Sequence, residues 1–252
     1  MSRLYVEDAE LYDIAFDWDV EEEVDWLLER LGKPVTVLEP GCGTGRMLVA
    51  FARRSVEVVG FDLSEPAVEI ARRRTAEFGT LPTVVVADMV DFGLGRTFGG
   101  AICPINTLGH LSRAQLAAHL DCVARHLDPG ARYLVQVGLV DPESHEPFAG
   151  SHWEASRADT KLKVEWVDEE LDARSGRSLQ RSRIEVLEGP RAGEVLEELH
   201  ELTAWTPETW TAAIDASPFR RGATYDAGRR GARPPVGPDA TGGLLWHELV
   251  LA

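Results

Sequence analysis

The sequence runs to 252 residues with 44% hydrophobic and 27% charged content, ordinary for a globular protein and long enough to bury one full sheet between helix layers. Its 42 acidic against 26 basic residues leave a formal charge of -16, which repels a phosphate backbone and argues against a nucleic-acid partner. Its three cysteines, Cys42, Cys103 and Cys122, form no CxxC pair, which argues against a disulfide framework or a zinc site, and no metal is expected. The amino terminus lacks a basic stretch followed by an apolar run, and no apolar stretch reaches the roughly 20 residues of a membrane span. A cytoplasmic protein without a membrane partner is the expectation.

Residues 1–32 read as a helical segment. Tyr5, Tyr12 and Phe16 stand among acids, and Val24, Leu27, Leu28 and Leu31 recur at helical spacing until Gly32 and Pro34 stop the helix. The stretch from Val35 to Asp62 organises the rest of the chain. Val35, Val37 and Leu38 suit a strand covered on both faces, and Gly41, Gly43 and Gly45 then leave room for positive φ and for a ligand close to the main chain. Met47, Leu48, Phe51 and Ala52 place one face of a helix on the sheet, and Val56, Val58, Val59 and Phe61 make a second strand ending at Asp62. A carboxylate there, roughly 20 residues past the glycines, can accept both hydroxyls of a ribose. This is a βαβ unit with a nucleoside site.

The residues Glu39-Pro40-Gly41-Cys42-Gly43-Thr44-Gly45-Arg46, with Asp62-Leu63-Ser64 after the second strand, resemble the class I S-adenosylmethionine-dependent methyltransferases, in particular the small-molecule branch. Arg46 holds the position of a third dinucleotide glycine, and Glu39 would repel a pyrophosphate but welcome an ammonium group. The resemblance implies S-adenosylmethionine as cofactor, with Gly41, Gly43 and Gly45 under its methionine part, Asp62 on the ribose, and Leu63 and Arg46 also in contact. It implies a Rossmann-like sheet of seven mostly parallel strands with an antiparallel last strand. It further implies an aromatic at the Tyr12 position facing the cofactor, where the sequence equally allows a packing residue.

Ser64 can cap a helix running to about Phe78, and Leu81 to Val86 is a third strand. Asp88 and Met89 come next, where the family places an adenine acceptor and a ring-packing side chain. Phe98 to Cys103 is a fourth strand, followed by Pro104, a cofactor neighbour by the same resemblance, and by His110, a candidate substrate contact. Ser112 to Leu127 is a helix, Pro129-Gly130 a turn, and Arg132 to Val140 a fifth strand.

Periodicity is lost over 141–159, which holds the candidate base His145 and the candidate substrate residues His152 and Trp153. Alternation over Lys161 to Val167, Ser178 to Leu187 and Val195 to Trp205 then predicts a small antiparallel β cap inserted after strand five, on the cofactor side of the sheet. Pro207 to Ala216 reads as a helix, Phe219 to Tyr225 as strand six and Leu244 to Leu251 as strand seven. The Gly- and Pro-rich loop between them carries Arg229, Arg230 and Arg233, which read either as solvated or as attracting an anionic substrate. One methyltransferase domain over 1–252 is expected, divided into a helical segment 1–32, a cofactor-binding core 33–140, the cap 141–204 and the end of the sheet 205–252.

The expected activity is methyl transfer by in-line displacement to an O or N atom of a small molecule. A protein or RNA acceptor, a nicotinamide-linked oxidoreductase and a non-catalytic cofactor-binding regulator are the alternatives. A homodimer is compatible with the sequence.

Overall fold

The computed structural model describes residues 2–143, 150–227, 233–237 and 239–252. In chain order the elements begin with helices α1 (Arg3–Val6), α2 (Ala9–Ala15) and α3 (Glu21–Leu31), followed by β1 (Thr36–Pro40), α4 (Arg46–Arg53), β2 (Glu57–Asp62), α5 (Glu65–Thr75) and β3 (Pro82–Val86). After these come β4 (Phe98–Cys103), α6 (Arg113–Ala124) and β5 (Leu127–Leu139), then β6 (Ser151–Arg157), β7 (Thr160–Asp172), β8 (Arg177–Glu188) and β9 (Val195–Thr203). The chain closes with α7 (Pro207–Asp215), β10 (Phe219–Asp226), β11 (Pro235–Val236) and β12 (Gly243–Leu251).

Local chemistry sets the boundaries. Gly32 ends α3 in the left-handed conformation, at φ 83°. The Ser64 hydroxyl accepts from the Ala67 N–H and so caps α5, and Ser112 with Gln115 forms a capping box at the start of α6. Two expectations are corrected here. Val35 is 79% exposed and precedes the strand, serving only through its carbonyl, which accepts from the Glu57 N–H. The helix α4 does not bury one face alone: every residue from Met47 to Ala52 is buried, because neighbouring helices as well as the sheet cover it.

The large sheet runs β11-β10-β12-β5-β4-β1-β2-β3. The pairs β3-β2, β2-β1, β1-β4 and β4-β5 are parallel, and β12 is antiparallel to both its neighbours. This is the expected Rossmann-like sheet with an antiparallel last strand. The two-residue β11 adds an eighth member at the edge, within the segment read as a loop. The Pro129-Gly130 turn lies inside β5 as a register shift, where Phe98 faces Leu127 but Gly100 faces Arg132. The carboxyl ends of β1, β2, β3 and β4 meet at one rim, where ligands of open α/β sheets sit.

The chain leaves the sheet after Leu139 and returns at Trp205, and between them lies a separate antiparallel sheet, β6-β7-β8-β9. The sequence reading missed β6, whose alternation of half-buried and exposed residues was hidden by its polar composition. Trp205, read as the last residue of a strand from Val195, lies beyond β9 and is buried in the core at 1% exposure. The cap's apolar residues Leu162, Val164, Ile184, Val186 and Leu196 pack on Leu4, Leu11 and Ala15 of the first two helices. Ion pairs fix the same joint. Asp13, almost without exposed surface, pairs with Arg74 of α5 at 2.5 Å and with Arg157 of β6, and Asp17 joins both arginines at 2.6 and 2.8 Å. One carboxylate therefore ties α2 to the core and to the cap. Asp13→Ala should destabilise the protein by about 2 to 3 kcal/mol, because it leaves two partly buried guanidinium groups short of a partner, and urea unfolding of the variant against wild type measures it.

Candidate active site

The site begins with Asp62 at the end of β2. One oxygen of its carboxylate accepts from the Gly43 N–H and the other from the Ser64 N–H, both at 2.9 Å. Burial nevertheless raises the pKa of this half-buried carboxyl, against the pull of the main-chain N–H groups of Ser64, Gly43 and Leu63. Each oxygen keeps a further lone pair for a ligand hydroxyl. Leu63 beside it is exposed, at 55%.

Gly41 lies where β1 gives way to the turn. Its φ is 69°, and a Cβ there would stand 2.7 Å from Thr107 Cγ2 and 2.9 Å from Met89 Cε. The turn is thus closed on one side by the loops after β3 and β4, and no side chain fits at this position. At Gly43 the nearest neighbour of an added Cβ is the Tyr12 ring, at 3.7 Å, so α2 brings Tyr12 onto the turn. Gly45, at φ 82°, begins α4 where Ala71 of α5 crosses closely.

Glu39 is buried beneath this turn, 2% exposed, and its Oε2 has no hydrogen-bond partner among the described residues. Burial pushes its pKa up to about 8, with Arg46 opposing and Asp62 adding to the rise. Arg46 donates to the Phe16 carbonyl at 2.9 Å and lies over the Trp18 ring at 4.0 Å. Asp88 is exposed in a turn, its carboxylate accepting from the Val90 N–H at 3.0 Å, and Met89 is half-buried against Gly41. Pro104 is buried at the end of β4 and is followed by Ile105 and Asn106 at φ 48° and 57°, a strained corner beside the site.

His110 ends the 3₁₀ turn Thr107–His110. The residue is exposed by surface area, with the Tyr5 ring packed edge-on against its imidazole. Desolvation there, with His200 of β9 adding to it, lowers its pKa to about 4. Tyr5 of α1 packs edge-on to His110 at 5.7 Å and to Tyr12 at 5.3 Å.

Other expected residues lie elsewhere. His152 sits on the outward face of the cap, its side chain 57% exposed and 3.8 Å from Glu165. Trp153 is on the inward face, but its Nε1 donates to the Ala15 carbonyl at 2.7 Å and its ring packs on Phe16, an attachment of the cap to α2. Arg233, read as a loop cation, is only 8% exposed, pairs with Glu23 at 3.4 Å and lies over Trp26. His145, Arg229 and Arg230 fall outside the described residues. The sequence reading named Tyr5 without giving it a role at the site, and passed over His200. His200 carried a signal in its alternation with Leu196 and Leu202, which puts an imidazole on the inner face of the cap.

Residues 37–130 match the model of a methyltransferase domain family. A dTDP-3-amino-3,6-dideoxy-alpha-D-glucopyranose N,N-dimethyltransferase of Streptomyces fradiae is 31% identical over 224 residues, covering 83% of this chain and 82% of the relative. The chain belongs to the class I S-adenosylmethionine-dependent methyltransferases of the small-molecule type. A dTDP-3-amino-3,4,6-trideoxy-alpha-D-glucopyranose N,N-dimethyltransferase of Streptomyces venezuelae is 28% identical over 73% of the methyltransferase and 72% of the relative. In fold, it is similar to S-adenosylmethionine-bound CalS10, an amino pentose methyltransferase from Micromonospora echinaspora, with a TM-score of 0.72, 21% identity and coverage of 96% and 97%. Streptomyces venezuelae DesVI is similar with a TM-score of 0.73, 22% identity and coverage of 100% and 99%.

The methyltransferase is therefore an enzyme that uses S-adenosylmethionine, and the nicotinamide and regulatory alternatives fall away. The geometry fits that cofactor. The unpartnered Glu39 oxygen suits an ammonium, and the Asp62 carboxylate at the end of β2 keeps acceptor capacity for ribose hydroxyls. Among the described residues no group of His, Cys, Asp and Glu is arranged to hold a metal ion, and no helix is long and apolar enough to cross a membrane.

Glu39 also sets a pH dependence. Its folded-state pKa of about 8 lies above the ordinary 4.5, so the stability it contributes is present below pH 4.5 and is lost as pH rises through about 8. Without cofactor, wild type should lose melting temperature over that window relative to Glu39→Gln, as thermal melts of both proteins across it would show.

Proposed function

We propose that this methyltransferase acts on the amino group of an amino sugar carried on a nucleotide. The observation that carries the reading is the span of the likeness: the amino-sugar dimethyltransferase of Streptomyces fradiae matches 83% of the chain, well beyond residues 37–130 that the methyltransferase domain accounts for. The cleft chemistry supports nitrogen over oxygen. A neutral amine attacks unaided, whereas a hydroxyl benefits from a base with a pKa near the working pH, and His110 at about 4 is too weak for that task. His110 serves instead as a neutral hydrogen-bond acceptor for the amine.

The cofactor, when bound, supplies an electrophilic methyl on a sulfonium whose sulfur leaves neutral. The protein's work is to bind and align, holding the nucleophile about 3 to 3.5 Å from the methyl and in line with the departing sulfur. In our reading Asp62 accepts the ribose hydroxyls, while Glu39 accepts from the ammonium and Arg46 faces the carboxylate of the methionine part. Gly41, Gly43 and Gly45 offer bare main chain beneath it. Leu63, Asp88 and Met89 border the adenine, Pro104 forms the wall below the methyl, and Tyr12 closes the turn from above. The chain then works as one methyltransferase domain, 1–252, whose cap, 141–204, excludes water from the acceptor. Three free, buried thiols support a cytoplasmic setting.

Incubation with S-adenosylmethionine and a dTDP-amino sugar should add 14 or 28 mass units by mass spectrometry, as about one or two methyl groups require, while the analogue with a hydroxyl in place of the amine stays unmodified. Methylation of the hydroxyl analogue alone would overturn the reading. Asp62→Ala should weaken S-adenosylmethionine binding roughly ten- to hundredfold in calorimetry, the loss of a charged hydrogen-bond acceptor.

A further inference from the structure

The inner face of the cap changes chemistry half-way along its strands. Leu162, Val164, Ile184, Val186 and Leu196 form the half that grips the N-terminal helices. The same alternation, continued along the same strands, brings Trp166 opposite Ser182 and Gln180 opposite His200. A sheet that only covered α1 and α2 would stay apolar on this face to its end.

These side chains are held in one arrangement. The His200 ring stacks on Trp166 with centroids 4.8 Å apart and planes at 9°, and its Nε2 lies 2.8 Å from Ser182 Oγ. Trp166 Nε1 donates to Gln180 Oε1 at 2.7 Å. Two polar atoms remain. Among the described residues neither His200 Nδ1 nor the amide nitrogen of Gln180 has a hydrogen-bond partner, although His200 is only 4% exposed, and neither atom is sealed from solvent.

The route from these atoms to the cofactor turn is short. Thr203 Oγ1 at the end of β9 donates to the Leu111 carbonyl at 2.8 Å, which stitches this end of the cap to the loop carrying His110. Tyr5 then stands between the two imidazoles, 5.8 Å from His200 and 5.7 Å from His110, and next to Tyr12 over Gly43. The rings form a continuous wall from the glycine turn to the cap.

We propose that Trp166, Gln180, Ser182 and His200 form the subsite for the hydroxyl-bearing ring of the acceptor and select which acceptor is methylated. This rests on the amino-sugar reading above. A saccharide hydroxyl both donates and accepts, which matches an amide donor beside an imidazole nitrogen whose role Ser182 can set from the other side of the ring. Burial lowers the pKa of His200, so it meets the acceptor uncharged. Leaving a buried polar atom unmatched costs more than a lost apolar contact, so such a site rejects acceptors without the hydroxyl.

Two variants test this. Gln180→Glu keeps the oxygen that Trp166 needs and removes the amide donor; His200→Phe keeps the stack and removes both ring nitrogens. Each should raise the acceptor KM about tenfold, the effect of one hydrogen bond to a buried group, while calorimetric affinity for S-adenosylmethionine stays at the wild-type value. An unchanged acceptor KM in both folded variants overturns the proposal. The acceptor panel contains a dTDP-amino sugar, its hydroxyl analogue and a catechol, whose second hydroxyl can occupy the subsite, so that wild type turning over only the catechol overturns the amino-sugar reading, while the KM comparison on the catechol still decides the role of the subsite. If wild type turns over none of the three, and the protein loaded with S-adenosylhomocysteine binds none of them, both ideas fall.

Discussion

The carboxylate of Asp62 is the joint on which the rest of the site depends. It accepts from Gly43, which fixes the glycine turn, and from Ser64, which fixes the residue that caps α5. The Ser64 hydroxyl in turn donates to the Tyr5 carbonyl, so the first helix is hung from the same point. A single half-buried acid thus sets the glycine turn and the starts of two helices. This explains why an acid is needed there even before any ligand is considered. Three flexible segments would otherwise have to be ordered separately, each at its own entropic cost.

The cofactor half of the molecule was legible in the sequence because its determinants are local. Glu39 to Arg46 and Asp62 to Ser64 are short runs whose strand, turn and helix context comes from a few neighbours, and the strand from Phe98 to Cys103 was found with its ends in place. Of the wall proposed to face the acceptor only His110 was legible, since the other determinants come from far apart in the chain. Tyr5, His110 and His200 meet only because β9 returns beside α1 and the loop after β4. His152 and Trp153 were adjacent candidates in the sequence, yet neighbouring residues of a strand face opposite ways, and only Trp153 turns inward. The one-face reading of α4 was incomplete for a related reason: helical spacing reports which residues lie on a stripe, and other elements can cover the remainder.

Charge is distributed unevenly over the molecule. The outer face of the cap carries solvent-bathed, half-exposed pairs such as Arg181 with Glu165 and Glu169, each worth little in water. The pairs that matter are at the joint with the N-terminal helices. Asp13 and Asp8 are almost fully buried, and each binds two arginines from different parts of the chain, Asp8 reaching Arg3 at 2.9 Å and Arg191 of the cap at 2.7 Å. Glu198 of β9 adds main-chain bonds from Arg3 and Leu4. The first two helices and the cap therefore form one body over the rim of the sheet.

The way that body is attached has a consequence for how such enzymes diversify. The chain departs after Leu139 and re-enters at Trp205, and these two residues are bridged, with the Val140 N–H donating to the Trp205 carbonyl at 2.8 Å. The exit and the entry are neighbours, so the sheet sees the whole excursion as a loop with a closed neck. A lineage can lengthen, shorten or rewrite what lies beyond that neck without disturbing the register of β5 against β4 and β12. What such a change must preserve is the set of contacts through which the cap holds the first two helices, Asp8 with Arg191 and Asp13 with Arg157.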